Sequence, residues 1–438
     1  MLRAGVASRD ISPPPGLELA GYPHHPRHNK GVHDPLTAAC LVLDNGKTKL
    51  AVITLDLLMV SKNQVATVRA DIEAKTRIPA GNIMICCSHT HSGPWTSARI
   101  DIDALDETRG ADPDYMQSLH DKLVALATEA AGSMFSARIG AAKGFCGREQ
   151  GVGGNRRDPM GIADPEVWTI GVQDTDGTWR AVLVKYALHP TFLHSDNFEV
   201  SADYPGTMRA YFAESRPDAV FLFMQGTSGN QSPRYFRSGK TFAEAERVGR
   251  AIASEADRVL GELEMTDTPD LLVASREIEI PLRQLPSKKE AEAAAERAKA
   301  DWENAKDTGL RERDVWNKEL LFLGAEDTLG FVLTEEAGGR GLRREELPPE
   351  IQIIGIDDLR IVGLPGEAFV EFGLTIQYRA PFTRSFAIEL ANGCLPGYAC
   401  TAKAYAAGGY ETGAPLLTAK SGEVMVDAAV DLLYETKC

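Results

Sequence analysis

The chain contains no CxxC pair, and its seven cysteines are an odd number spread over 438 residues. That argues against both a zinc-ribbon spacing and a disulfide framework, and thiols kept reduced are the expected state. Positive charge is scarce, with 47 Lys and Arg against 62 Asp and Glu, a net charge of −15. Such a balance disfavours wrapping a phosphate backbone or lying on an anionic membrane. No window of about 18 apolar residues exists, which excludes a spanning helix in the sequence. The opening MLRAGVASRDISPPPG has no apolar core of the signal-peptide kind. The expectation is therefore a cytoplasmic protein with no membrane anchor and no nucleic-acid partner, free to form a homo-oligomer. Internal repeats and low-complexity tracts are absent too. The glycine-rich GVGGNRRDP (151–159) has neither the GK[ST] of a P-loop nor the GxGxxG of a dinucleotide site.

What is present is ordinary globular composition, 43% hydrophobic and 25% charged. KLAVITLDLLM (49–59) reads as a buried strand. Ser61 then caps a helix, with Gln64 completing a capping box and Val65, Val68 and Ile72 on one face. NIMICC (82–87) is the next strand, giving a strand–helix–strand unit. Further helices are expected at 113–131 and 241–262. Further strands are expected at 181–188, 219–225, 351–356, 359–364 and 385–390. The mixture predicts an α/β fold (or α+β), with mixed sheets flanked by helices. Residues 285–345, rich in Ala, Glu, Lys and Arg, read as a helical hairpin inserted into one catalytic domain spanning 1–438. That insertion is either a solvated excursion or a lid, in which Trp302, Trp316, Leu320, Leu321 and Phe322 face a pocket.

The reactive-looking residues each follow an expected strand. SHTHSGP (88–94) follows NIMICC, and His189-Pro190 follows AVLVKYAL. QGTSGN (225–230) follows AVFLF, PGE (365–367) follows LRIVGL, and Asn392-Gly393 follows SFAIEL. In α/β proteins the carboxyl ends of strands are where ligands bind. His89, His91 and His189 are candidate imidazole ligands and Glu367 a candidate carboxylate. Two histidines and a carboxylate with open positions suit a catalytic zinc, which makes hydroxide available near neutral pH. On an extended strand His89 and His91 would share a face, one as ligand and the other as acid/base or substrate donor. A second chemistry is open: Ser232 in GNQSPR as a nucleophile with His91 or His189 as base, in a metal-free serine hydrolase. A third is a non-catalytic binding protein of the same fold. Cys86 and Cys87 sit in an apolar run and are read as buried thiols. PHHPRH (23–28) reads as a surface loop, His120 as solvent-facing, and His194 as a neighbour of the site. An arginine of the pair Arg156-Arg157 is a candidate oxyanion or substrate clamp.

The ordered series ISPPPG, GVHDPL, SHTHSGP, GGNRRDP, ALHP, SGNQSPR, LPGE and NGCLPGY resembles the neutral/alkaline, non-lysosomal ceramidase family from Asp10 to about Tyr410. The resemblance implies a zinc-dependent amidase cleaving an N-acyl bond, with one zinc per chain. It implies His89, His189, Glu367 and a tyrosine as metal ligands. Tyr398 fits that tyrosine best, with Tyr405 and Tyr410 as alternatives. His91 and Arg156 are implied at the scissile carbonyl. The family's GDVSPN-type motif is GNQSPR here, keeping Ser232 but putting Asn230 where the family has Asp. Family members carry a further C-terminal immunoglobulin-like domain, for which this chain has no room, so only the catalytic part is expected. The substrate expected is a small-molecule or lipid-like acyl compound: an amide, ester or lactone.

Overall fold

A computed structural model describes residues 1–97, 99–101, 106–336, 346–413 and 416–437. Twelve strands form its two principal sheets. They are β1 (Arg3–Asp10), β2 (Thr37–Asp44), β3 (Lys49–Leu55), β4 (Ile83–Cys87), β5 (Phe135–Phe145) and β6 (Glu166–Asp174). The rest are β7 (Trp179–Tyr186), β8 (Val220–Gln225), β9 (Leu271–Glu277), β10 (Glu350–Ile356), β11 (Leu359–Gly363) and β12 (Arg384–Ile388). The large sheet runs β8-β7-β6-β5-β1-β2-β3-β4, and the small one β9-β10-β11-β12. The helices are α1 (Lys62–Thr76), α2 (Pro113–Gly132), α3 (Tyr204–Ser215), α4 (Phe242–Leu260) and α5 (Lys288–Asp307). They continue with α6 (Glu312–Glu336), α7 (Val370–Arg379), α8 (Ala402–Ala407), α9 (Tyr410–Gly413) and α10 (Ala419–Glu435).

Every strand and helix expected from the sequence forms, within a few residues of its expected ends. The continuous apolar runs have a simple cause. Successive side chains of a strand point to opposite faces, and here both faces are covered. Ala38, Cys40 and Val42 of β2, Ile53 of β3 and Ile85 and Cys87 of β4 pack with Val65, Val68 and Ile72 of α1 and Leu119, Leu123 and Leu126 of α2. The alternate residues Leu41, Leu43, Val52, Met84 and Cys86 face the small sheet, meeting Ile354, Ile361, Phe386 and Ile388. Helices α3 and α4 cover the β7–β8 end of the large sheet, and α7 and α10 cover the outer face of the small one. The result is four layers, helices–sheet–sheet–helices, and an α/β fold as expected. The capping box of Ser61 and Gln64 is present at α1, and β3 and β4 pair in parallel across it.

The sheet order puts β4 and β8 at opposite edges, yet the chain joins them. The segment that leaves β12 runs between the two edges. The Glu389 N–H donates to Gln225 O (2.9 Å) at the end of β8. Asn392 N–H donates to Ile85 O (2.8 Å), and Asn392 Oδ1 accepts from Ile85 N–H (2.9 Å), in β4. Leu390 N–H donates to Gly366 O (3.2 Å), tying in the loop after β11. Three strand ends separated in sequence and in sheet order are thereby drawn to one place.

Asn392 has a left-handed backbone (φ 60) and is buried, a conformation asparagine tolerates better than most residues. Asn392→Ala leaves the buried Ile85 N–H unpaired, so unfolding by urea is expected to show a loss of about 2–3 kcal/mol. A change within experimental error would show that this link does not hold the edges together.

Candidate metal centre

The strand β4 stops at Cys87, and the chain turns sharply. His89 lies outside any strand with φ 68, in the left-handed region that histidine seldom adopts. The expectation of an extended HxH is corrected on this point: the turn, not strand pleat, carries both rings to the site. Strain of this kind persists where surrounding contacts over-determine it, and it clusters at functional sites. His89 N–H is held by Leu57 O (2.9 Å).

Three imidazoles converge. One ligand nitrogen from each of His89, His91 and His189 falls within 4.8 Å of the others, a spacing that could hold a metal ion. Their outer nitrogens face backbone carbonyls. His89 Nδ1 lies 2.9 Å from Leu58 O, His91 Nδ1 3.2 Å from Gly21 O, and His189 Nδ1 2.8 Å from Ser228 O. A carbonyl accepts only, so each Nδ1 carries a proton, which leaves each Nε2 as the ligand atom when a metal is bound. That is the tautomer a metal ligand needs. Glu367 completes the cluster, its Oε2 lying 3.2 Å from Nε2 of both His89 and His189. His91 Nε2 is 3.4 Å from His89 Nε2, so by geometry His91 is as much a ligand candidate as an acid/base group.

The electrostatics follow from burial and proximity. Burial works against ionising Glu367, but His89 and His189 outweigh it and hold the carboxyl well below its usual range. Burial also opposes the His89 imidazolium, and Glu367 more than offsets it, so that ring is raised. His189 is pushed down to about 4 by burial and by the Arg156 charge, and His91 is held well below its ordinary value by burial and the two neighbouring rings.

Tyr398 comes in beside Glu367, because Glu367–Ala368 and Tyr398–Ala399 pair in parallel with Glu367 opposite Tyr398. The Tyr410 ring lies 5.6 Å from that of Tyr398 and lines the same cleft. Tyr405 points elsewhere, its O–H donating to Leu417 O (2.8 Å). Arg156 reaches the cleft because Gly154–Asn155 pairs with Gln231–Ser232. Its Nε donates to Glu411 Oε1 (2.9 Å), its guanidinium sits over the Tyr398 ring at 5.1 Å, and its buried Nη2 carries no hydrogen bond. Arg157 turns away to Glu411 Oε2 and Gly408 O. Ser232 also lines the cleft, but its Oγ only accepts from Arg234 N–H (3.2 Å). Among the described residues no histidine is hydrogen-bonded to it, so it lacks the base a serine nucleophile needs.

Some contributors escaped the sequence. Glu389, fully buried, accepts from Ser228 Oγ (2.6 Å) and from Ala368 N–H (2.9 Å). Ser228 in turn touches His189 and accepts from Gln225 Nε2 (2.6 Å). This chain of contacts orients His189 from behind. The signal in the sequence was an acid standing inside the apolar run SFAIEL. Gly21 was missed as well: at φ +92 it passes so close to His91 that an added Cβ would sit 2.3 Å from Nδ1.

The cleft is narrow, a cavity of about 90 Å³ that His91, His189, Arg156 and Tyr398 line. Its outer wall settles the role of the insertion. α5 and α6 form the expected hairpin, packed through Ala291, Ala295, Leu329 and Val332; residues 337–345 of the expected 285–345 lie outside the described residues. Trp316, Glu319, Leu320 and Leu323 of α6 line the cleft, so this hairpin covers the site instead of being a solvated excursion. Trp302 and Phe322 do not line it; they form a three-ring cluster with His24, each ring in contact with the other two. Leu321 is exposed. The PHHPRH loop, expected at the surface, is clamped under the hairpin. His24 pairs with Glu326 and Glu319, and His25 with Glu319 (2.7 Å). His120 is half-buried and pairs with Asp71, and His194 packs against Tyr22 and Trp316 in the cleft wall.

Two outcomes are expected. Burial opposes the His24 imidazolium, but Glu319 and Glu326 outweigh it and raise its pKa from 6.5 to about 9. The raised folded value means its stabilisation is complete below pH 6.5, declines as pH rises, and is lost through about pH 9. Hydrogen exchange in α5 and α6 is expected to quicken from pH 6.5 to 9.5 beyond the intrinsic rate. His24→Gln removes that excess; an unchanged excess would show that another group anchors the hairpin. Gly21→Ala forces His91 aside and strains a left-handed backbone, so a loss of about 1 kcal/mol or more is expected in urea unfolding; unchanged stability would show that His91 gives way freely.

No family model matches the chain, and no curated protein is similar to it in sequence. Solved structures match it in fold. The neutral ceramidase from Pseudomonas aeruginosa superposes with a TM-score of 0.74 over 99% of this chain and 74% of its own length, at 18% identity. A ceramidase complexed with C2 gives 0.74 over 100% and 75%, at 17% identity. The chain has the neutral-ceramidase fold.

Proposed function

We propose that the protein is a zinc-dependent hydrolase of ceramidase type that cleaves an amide, or an ester or lactone, of an acyl compound. The observation that carries this is the inward-facing set of Nε2 atoms on His89, His91 and His189 beside Glu367, each ring fixed by a backbone carbonyl at Nδ1. The ceramidase fold supports the reaction class by analogy. His89, His189, Glu367 and Tyr398 are the proposed ligands, a nitrogen- and oxygen-donor set that fits zinc. When bound, the ion supplies Lewis acidity and lowers the pKa of water.

The chain's own residues do the rest. Arg156 offers its unpaired Nη2 to the substrate carbonyl oxygen and to the negative charge that grows there. His91, kept neutral by burial, takes the proton from the attacking water at Nε2. The water oxygen bonds to the carbonyl carbon. As the bond from that carbon to nitrogen or oxygen breaks, the same proton passes to the leaving group. The hairpin wall of Trp316, Leu320 and Leu323 keeps bulk water away. Ser232 lines the wall as a contact for substrate.

Elemental analysis is expected to find about one zinc per chain, lost in His89→Ala and in Glu367→Ala, with hydrolysis of acyl amides falling at least about 10²-fold in each. Zinc retained in both variants, or full activity after chelation, would overturn the assignment. Ligand-induced stabilisation without turnover would point to a binding protein.

A further inference from the structure

The cleft contains two cations without a carboxylate of their own. Arg234 and Arg237 stand in the turn that follows Ser232, and both line the cleft. Arg237 donates Nη1 to the carbonyls of Thr191 and Phe192. The Arg234 guanidinium makes no hydrogen bond among the described residues, and neither arginine is in an ion pair there. Their neighbours differ. Arg156 and Arg157 share Glu411, His24 and His25 share Glu319, and Lys240 pairs with Asp196 and Glu312.

Two further observations show that the charge is felt inside the cleft. His194, in the same wall, is pushed down to about 2 by burial and by Arg237, Lys240 and Arg234. Tyr22, 7% exposed, lines the cleft with a buried O–H that has no hydrogen-bond partner. Buried hydroxyls are normally satisfied, so an unpaired one aimed at a ligand cleft is a donor without its acceptor. The Tyr22 ring lies 5.1 Å from that of His91 and 5.0 Å from that of His194. Tyr22 thus touches both His91 of the metal centre and His194, and it lines the same cleft as the two arginines.

We infer that the substrate carries an anionic group, with carboxylate or phosphate-type oxygens, placed one aromatic side chain away from the scissile carbonyl. Arg234 and Arg237 hold that group, and the Tyr22 O–H donates to it. The substrate class is then an acidic acyl amide, of the N-acyl amino acid kind, and not a neutral lipid amide. Guanidinium groups bind such oxygens strongly because their N–H fork matches them in geometry and charge. The inference rests on the hydrolase reading for the position of the amide, but the anion site has its own readout.

The test uses the zinc-loaded full chain and three probes of one shape: N-hexanoylglycine, its neutral glycinamide and its aminomethylphosphonate analogue. Calorimetry gives binding, and amine release gives turnover. The acid is expected to bind at least about tenfold more tightly than the amide, as a charge-assisted contact predicts. Arg234→Gln is expected to collapse that preference to below about threefold, and Arg234→Lys to restore most of it, which separates lost charge from lost folding. Tighter binding of the phosphonate than of the acid would assign the site to phosphate-type oxygens. Equal binding of acid and amide, binding of neither, or a preference untouched by both variants would overturn the inference. Amine release from acid and amide alike with no binding preference sinks the anion site and leaves the hydrolase. A preference for the acid without amine release sinks the hydrolase and leaves the anion site.

Discussion

Everything at the centre depends on one short strap. Residues 388–392 leave the small sheet and hydrogen-bond on one side to Gln225 and on the other to Ile85. These lie at opposite edges of the large sheet. The strap ties β8, beside the turn after β7 that carries His189, to β4, whose end turns to His89. The strap also holds Gly366 through Leu390, one residue from Glu367. Glu389, within the strap, reaches Ser228 and Ala368 from beneath. Backbone hydrogen bonds thus tie together segments that carry the candidate ligands, alongside the packing of Cys86, Ile388 and Ala391.

Around that frame the fold separates stiffness from access. The sheets are buried on both faces and packed between helices, so the ligand-bearing turns project from a rigid body. The cleft above them is closed by a wall of a different kind. α5 and α6 meet the body through His24, His25, Glu319 and Glu326, a cluster of charged pairs with stacked rings. The hairpin also packs through Trp316 on Tyr22 and His194, so charged and aromatic contacts together hold the cover in place.

The charge distribution carries the same logic. A chain with a net charge of −15 places Arg156, Arg234 and Arg237 around one cleft, and pairs only the first of them with a carboxylate. A chain of net negative charge disfavours bulk polyanions, while the arginines of this one cleft supply charge of the opposite sign locally.

The sequence alone determined the elements and most of the candidate ligands. Apolar runs such as NIMICC and AVLVKYAL marked strands because both faces of the sheet are covered. Ser61 with Gln64 marked a helix start because a capping box is local chemistry. His89, His189 and Glu367 stood out because polar residues directly after buried strands have few other reasons to be there. Only the tertiary structure decided which of them meet, and how. The left-handed turn at His89, the passage of Gly21 against His91, the burial of His24 under α6 and the exclusion of Tyr405 all depend on segments far apart in the chain. Periodicity reports the face a residue takes on its own element. Whether that face meets a histidine tens or hundreds of residues away is set by sheet order and by the strap, and neither leaves a local trace in the sequence.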